Sequence, residues 1–522
     1  MKAELNRREF VKAAAATMAG LALPGLVEAG EQNVLPLNYE REILFTNCRS
    51  IDVTDGRCKP ATSLRVMGGK IVAVEEGAPV IHGHEQLVDL NGGYVMPGLI
   101  EAHCHTTMSP VWRMRSILDL NRHLKLMDRQ FSISIEKGVT AVRDCGAFPQ
   151  QLKVIMRRID KGTLKGPRIV YCNSMMNIRG GHPEVLAEDV NRLAFLVEPF
   201  LGKNKTDFRS ADDLAHELET NTQGGASFLK LTVDNESIFL KKEKLPTYTG
   251  KMLQMFVKTH EKLGLPMVCH CHRKWGFDRI TKYPIHSLEH LLGDAVLSEK
   301  EALMMAEKHI AIVPTIIVAQ SLMIEEAFDE VPAELRSDFL DAELEARRRY
   351  IYGSEATQHC DPVLHQDNID QLKLYKTMGW DNLWRNKKFM VDPRLYFGVV
   401  KNAPANLKRM HEAGVLIGCG TDAGMPFTYF GGYYRELEAY ARAGFRNAEI
   451  LRFATVNNAR ILGLEDRIGS LEKGKYADFI VLDGDPLADL KVLRQPLAVF
   501  KSGRLMHTVV GFQAHGQALR MT

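Results

Sequence analysis

The chain has almost no excess charge of either sign: 67 Lys and Arg against 64 Asp and Glu leave a formal net charge of +3 over 522 residues. That balance, spread along the chain, offers no basic footprint for a nucleic-acid partner. Cysteine is scarce and odd in number, nine residues. Cys104, Cys145, Cys172, Cys269, Cys271 and Cys419 lie in or beside apolar, strand-like runs, the usage of small buried core residues and not of a disulfide framework. The uncharged run from Ala13 to Val27 is too short to span a bilayer comfortably. What remains is 45% hydrophobic and 25% charged, an ordinary globular composition, long enough for a large barrel with an accessory domain.

The same short run carries a second meaning. It follows Asn6-Arg-Arg-Glu-Phe-Val-Lys12 and precedes Glu28-Ala-Gly30. A basic segment, a short apolar segment and a small residue at a plausible cut site describe an export signal over residues 1–29. The pair Arg7 and Arg8, with Phe10 and Lys12, resembles a bacterial twin-arginine signal, which a receptor reads and which does not anchor. The expected partner is the twin-arginine export machinery, and the expected destination is the periplasm or the outside of the cell. No cysteine lies near the cut site, so no lipid anchor is expected.

From Glu42 to about Val95 the chain shows short β-rich runs: Ile43 to Thr46, Ser63 to Val66, Lys70 to Val74 and Gln86 to Asp89. Turn signals at Asp55-Gly56 and Gly68-Gly69 separate them. The same character returns in Ala477 to Leu482, Leu497 to Phe500 and Arg504 to Met506. A small β-sandwich assembled from both chain ends, residues 30–96 and 464–522, is the expectation.

The middle, 97–463, alternates strand-like runs with longer helical patterns. Eight strands are expected: Gly98–His105, Val139–Cys145, Arg168–Asn173, Phe228–Val233, Met267–Cys271, Ser287–His290, Ala311–Ile316 and Leu416–Asp422. Eight strands alternating with helices predict an α/β fold of the (β/α)8 TIM type, with chemistry at the C-terminal ends of the strands. A charged, helix-rich insertion of about 321–407 precedes the eighth strand. It includes Ala333 to Arg349 and the aromatic residues Tyr375, Trp380 and Trp384, and reads as a lid or as a contact between copies of the chain.

Chemistry-bearing side chains recur at those strand ends. In Gly98-Leu-Ile-Glu-Ala-His-Cys-His105, alternation puts His103 and His105 on one face, where two imidazoles can chelate one metal ion. Met267-Val-Cys-His-Cys-His272 repeats the arrangement with His270 and His272. Ser287-Leu-Glu-His290 ends in a histidine, and Gly418-Cys-Gly-Thr-Asp422 in an aspartate. In Phe228-Leu-Lys-Leu-Thr-Val233, Leu229, Leu231 and Val233 suit the layer under the helices, which turns Phe228, Lys230 and Thr232 inward. A lysine in a dry interior favours its neutral amine, and a neutral amine can take up carbon dioxide as a carbamate able to bridge two metals.

As a set these motifs resemble the amidohydrolase superfamily, in particular its imidazolonepropionase-like and prolidase-like hydrolases. Ala454-Thr-Val-Asn-Asn-Ala-Arg460, Ile468 to Asp478 and Asp485-Pro-Leu487 extend the resemblance over nearly everything after the leader. It implies two divalent ions, zinc first among them. His103, His105 and Asp422 would hold the more buried ion and His270 and His290 the more exposed one, with carboxylated Lys230 bridging. It implies hydrolysis of an amide or peptide carbon–nitrogen bond by a metal-bridging hydroxide, with Asp422 as proton shuttle. The substrate would be a dipeptide, an N-acyl amino acid or a related amide. His272, and His182 in Asn177-Ile-Arg-Gly-Gly-His182, would contact substrate. Arg179 stands where relatives show a small hydroxylated residue and becomes a candidate clamp for a substrate carboxylate. Two other readings stay open: a one-metal cyclic-amide hydrolase or deaminase, and a catalytically silent metal-binding protein that recruits partners through its insertion.

The leader makes a testable statement. Replacing both Arg7 and Arg8 by lysine should abolish export and leave uncleaved precursor in the cytosol, as read by cell fractionation and mass of the mature protein. Normal export of the double variant contradicts it.

Overall fold

Pro97 ends one sheet and Leu99 begins another, so a single residue, Gly98, separates the molecule's two parts at this point of the chain. The computed structural model describes residues 37–108, 110, 117–182, 203, 205–236, 244–383, 391 and 393–509. The leader expected over 1–29, and Trp384, lie outside the described residues.

The first part is β1 (Ile43–Asp52), β2 (Arg57–Met67), β3 (Lys70–Glu76) and β4 (Gln86–Pro97). The chain's far end returns to them as β12 (Phe479–Leu482), β13 (Ala498–Lys501) and β14 (Arg504–Thr508). The expected sandwich is corrected to one seven-stranded sheet, ordered β14-β13-β12-β4-β1-β2-β3. β1 pairs with β4 in parallel and the other neighbours are antiparallel. The sheet rolls far enough that Lys70 of β3 bridges Tyr476, just before β12, and Ala477 N donates to Gly69 O at 3.0 Å. The roll is possible because one apolar filling serves the whole inner face. Phe45, Phe479 and Phe500 meet at its centre, with ring centroids 4.5–5.1 Å apart, among Ile43, Leu64, Val66 and Val88.

The second part holds β5 (Leu99–Cys104), β6 (Val139–Asp144), β7 (Arg168–Tyr171), β8 (Leu229–Thr232), β9 (Met267–His270), β10 (Ser287–Glu289) and β11 (Ala311–Val313). They form two parallel sheets, β5-β6-β7 and β8-β9-β10-β11. Two seams join them. At one, Ser227 N donates to Tyr171 O and Met176 N to Lys230 O, both at 2.8 Å. At the other, the extended segment 416–423 lies between β11 and β5: Gly418 N donates to Ile312 O (2.9 Å) and Ala102 N to Cys419 O (2.9 Å). The parallel segments therefore make a closed hydrogen-bonded ring, with helices packed outside it.

Segment 416–423 was expected as a regular eighth strand and is instead held by isolated bridges. The cause is Asn458. Its Oδ1 takes the Cys419 N–H (2.9 Å), which is then not free for a ladder bond, and its Nδ2 shares the Cys419 carbonyl (2.8 Å) with Ala102 N. Other strands stop short of their expected ends where the backbone turns left-handed: Asn173 (φ 67°), His290 (φ 75°) and Thr315 (φ 50°). Alternation in β8 is as expected. Phe228 packs inside the ring with Cys145, Cys172 and Val268, while Leu229, Leu231 and Val233 join the larger core outside it.

Between β11 and 416 the chain builds the expected helices: Ile316–Leu322, Asp338–Ile351, Pro362–Leu383 and Pro393–Glu412 among them. Ser337 caps the second by accepting from Leu340 N, and the acidic residues Asp338 and Asp341 lie in its first turn, where the helix dipole favours negative charge. Among the described residues no helix is long and apolar enough to cross a membrane.

Phe479 is fully buried between two rings, so Phe479→Ala should lower unfolding free energy by about 3–5 kcal/mol, measured by denaturant titration. A loss below about 1 kcal/mol would mean that the rolled sheet does not depend on its aromatic filling.

Candidate metal centre

The ring's C-terminal mouth gathers side chains from six segments, beginning with β5. Gly98 lets that strand approach β6 closely, since a Cβ there would meet the Thr140 side chain at 2.2–2.8 Å. His103, 1% exposed, donates from Nδ1 to Glu289 Oε2 at 2.5 Å. His105 donates from Nδ1 to the Gly146 carbonyl at 2.8 Å. Both rings thus keep Nε2 for the interior, 3.5 Å and 3.0 Å from Asp422 Oδ1.

Asp422 reaches this position through a left-handed backbone (φ 62°) and a bond from its N–H to His103 O at 2.8 Å. Burial alone would raise its carboxyl. The close approach of His105 Nε2 and the charges of His103, His105 and Lys230 outweigh that and hold it below the ordinary range. Burial likewise disfavours a charged His105, but Asp422 overrides it and raises the imidazole. With the Nδ1 proton spent on Gly146, a second proton or a metal cation has to stand between Nε2 and Oδ1.

On the opposite side of the mouth, His270, His272 and His290 crowd together with ring centroids 4.3–4.8 Å apart. His182 stacks on His270 at 4.1 Å. Burial, then the neighbouring imidazoles, hold His270 and His290 well below the ordinary histidine value, so both present the neutral form that binds metal. His290 Nδ1 pairs with Thr315 Oγ1 at 2.6 Å. Lys230 Nζ lies among these groups, buried, and has no hydrogen-bond partner among the described residues; His270 Nε2 has none there either.

The residues therefore fit a metal. Among the described residues, four groups bring candidate ligand atoms within 4.8 Å of one another, and two of them share His290: His103, His290 and Asp422, and His270, His272 and His290. The others are His103, Cys145 and Glu289, and Glu42, His84 and Glu85 in the first sheet's region. Unpartnered buried polar atoms are costly, and here they converge on one place. Of the residues expected at the site, His103, His105, His182, Lys230, His270, His272, His290 and Asp422 are brought together. Arg179 is not. Its side chain is 54% exposed and lies 3.8 Å from Asp207.

Two residues, Glu289 and Asp234, went unassigned at the sequence level. Glu289, fully buried, accepts from Arg143 Nη2 and from Ser287 Oγ, both at 2.6 Å. Burial would raise its carboxyl, but Arg143 and the His103 hydrogen bond hold it below the ordinary range. Asp234 accepts from the N–H groups of His272 (2.8 Å) and Arg273 (3.2 Å) and lies 3.5 Å from His270 Nε2. Period-two alternation from Ser287 could have turned Glu289 inward, but it would also have turned His290 away; the left-handed backbone at His290 breaks that rule. Asp234 follows β8 in a loop and carries no such signal.

Glu289 sets the tautomer of His103, and outer partners of this kind are worth about 10–100-fold in metal affinity. Glu289→Gln should weaken divalent-metal binding by that factor in a chelator competition, and unchanged affinity would remove the role.

A model of the amidohydrolase family matches residues 94–506. A 5-methylthioadenosine/S-adenosylhomocysteine deaminase of Teredinibacter turnerae is 38% identical over 69 residues, 13% of this chain and 15% of that protein. An imidazolonepropionase of Syntrophobacter fumaroxidans is 40% identical over 90 residues, 16% of this chain and 19% of that protein. The chain spans less than a fifth of the length of these curated relatives. A solved Xaa-Pro dipeptidase with methionine bound in its active site shares the fold: TM-score 0.65 at 20% identity, over 89% of this chain and 99% of that one. The family match runs from the end of β4 into β14 and takes in every residue of the histidine cluster; the chain belongs to the amidohydrolase family.

Proposed function

We propose that this amidohydrolase is a prolidase-like, two-metal hydrolase of an amide or peptide carbon–nitrogen bond, acting on a dipeptide or an N-acyl amino acid. The closed ring is read as a (β/α)8 TIM-type barrel with the rolled sheet as its accessory unit. The leader is read as twin-arginine, placing the mature enzyme in the periplasm or outside the cell. The observation that carries the reading is the pair of ligand groups sharing His290 beside the unpartnered Lys230 amine. An ammonium buried without a partner is expensive. A lysine amine that adds to carbon dioxide, releasing one proton, becomes an anion with two oxygens to offer.

His103, His105 and Asp422 would hold the deeper ion and His270 and His290 the outer one, with carboxylated Lys230 between them. When bound, two divalent ions, zinc first among candidates, bring the pKa of a water toward neutrality and polarise a scissile carbonyl. Asp422 takes the proton of the attacking water on its carboxylate and returns it to the leaving nitrogen, base first and acid second. Its depressed carboxyl suits that order, because the group starts ionised. His182, whose Nδ1 has no partner among the described residues, is the side chain best placed to meet a substrate oxygen. Burial removes bulk water from all of these groups.

A one-metal deaminase or cyclic-amide hydrolase is the second reading, favoured by the stretch shared with the Teredinibacter turnerae deaminase. It needs no bridging lysine.

Metal-loaded mature protein should hydrolyse at least one member of a panel of Xaa-Pro dipeptides, other dipeptides and N-acyl amino acids. Asp422→Asn should keep its metal and lose about 10²–10⁴-fold in kcat. Full activity of that variant would end the proton-carrier role, and deamination by a Lys230→Ala variant that retains wild-type rates would favour the second reading.

A further inference from the structure

Four histidines at the mouth share one construction. Each spends a ring nitrogen on a fixed oxygen partner and keeps the other for the cluster: His103 on Glu289, His105 on Gly146 O, His290 on Thr315 Oγ1, and His272 on Leu291 O at 3.2 Å. Metal-binding histidines are built this way, because the outer partner sets the tautomer and makes the remaining nitrogen a better donor. Among the described residues His182 lacks it, its Nδ1 having no partner, and so does His270, so the outer partner alone does not separate the two roles. What places His272 with the ligands and not with the substrate contact His182 is position: its candidate ligand atom lies within 4.8 Å of those of His270 and His290, a group that does not include His182.

Its surroundings also immobilise it. His272 is 2% exposed. Its ring stacks on His290 at 4.4 Å with 23° between the planes. Tyr396, from helix Pro393–Glu412, packs edge-on against it at 5.6 Å and 81°. Its backbone N–H is held by Asp234. A side chain meant to follow a substrate through a reaction needs some rotation, and this one has little.

We propose that His272 is a metal ligand, completing with His270 and His290 a three-imidazole site for the outer ion. The inference rests on the metal-site reading above and changes one role within it. Three neutral imidazole nitrogens suit a borderline cation such as zinc or cobalt, and leave a position for water or substrate. The deeper position keeps the carboxylate of Asp422, so the two positions differ in charge as well as depth.

The experiment uses the full chain loaded with cobalt. In chelator competition, His272→Ala should weaken one of the two ions by more than the roughly 100-fold that an outer partner can cost, with the other ion unchanged. His182→Ala should leave both constants unchanged. His272→Cys should add a near-ultraviolet thiolate-to-cobalt charge-transfer band over the wild-type spectrum, a signature that only a ligand position produces. If folded His272→Cys shows no such band, or if His272→Ala keeps both affinities and loses only turnover, His272 is a substrate contact and the inference is overturned. If the wild-type chain binds no cobalt at the histidine cluster, the metal-site reading itself falls, and this inference with it.

Discussion

A carboxylate without access to water, Glu289, is the constraint on which the site depends. An ionised group inside a protein costs several kcal/mol unless charge and hydrogen bonds compensate it. Glu289 is compensated from three directions: Arg143 of β6, Ser287 of its own strand and His103 of β5. Arg143 in turn donates from Nε to Ala102 O at 2.7 Å and lies over the Phe228 ring at 5.5 Å. One buried ion pair therefore ties β5, β6 and β10 together and turns Nε2 of His103, a candidate metal ligand, toward the cluster. Breaking such a pair by removing one partner costs about 3–5 kcal/mol, so site geometry and ring stability rest on the same atoms.

Above this floor the strands end in strained backbone. His290, Thr315 and Asp422 all have left-handed φ values, each costing about 1–3 kcal/mol for a non-glycine residue. Surrounding bonds hold them there. Glu436 accepts from Ile316 N and Ile317 N at 3.0 and 2.8 Å, fixing the turn that presents Thr315 to His290. The same helix, Ile316–Leu322, binds the insertion: Gln320 Nε2 donates to Glu343, and buried Arg347 donates from Nε to Ser321 O at 3.4 Å. The described part of the insertion is thus joined by buried polar contacts to the residue that orients a ligand histidine.

Much of this was legible in the sequence because strand alternation and ligand chemistry are local. His103 with His105, His270 with His272, inward Lys230 and terminal Asp422 could each be read from a few neighbouring residues. What depended on distant partners was not legible. Asn458, 39 residues away, takes the Cys419 N–H of the eighth segment. Glu289 and His290 both face the site because one φ angle breaks the alternation that the motif implies. The sandwich became a single rolled sheet because pairing β4 with both β1 and β12 is a long-range choice that periodicity does not encode. Arg179 looked like a clamp by position in its motif, yet Asp207 lies beside it in the folded loop.

The central claim is a pair of ions held by this histidine cluster and joined through Lys230. Anomalous diffraction from crystals grown with zinc and bicarbonate tests it most directly. The account predicts two peaks, one beside His103, His105 and Asp422 and one beside His270 and His290, with added density on Lys230 Nζ between them. A single peak, with an unmodified lysine, would contradict it.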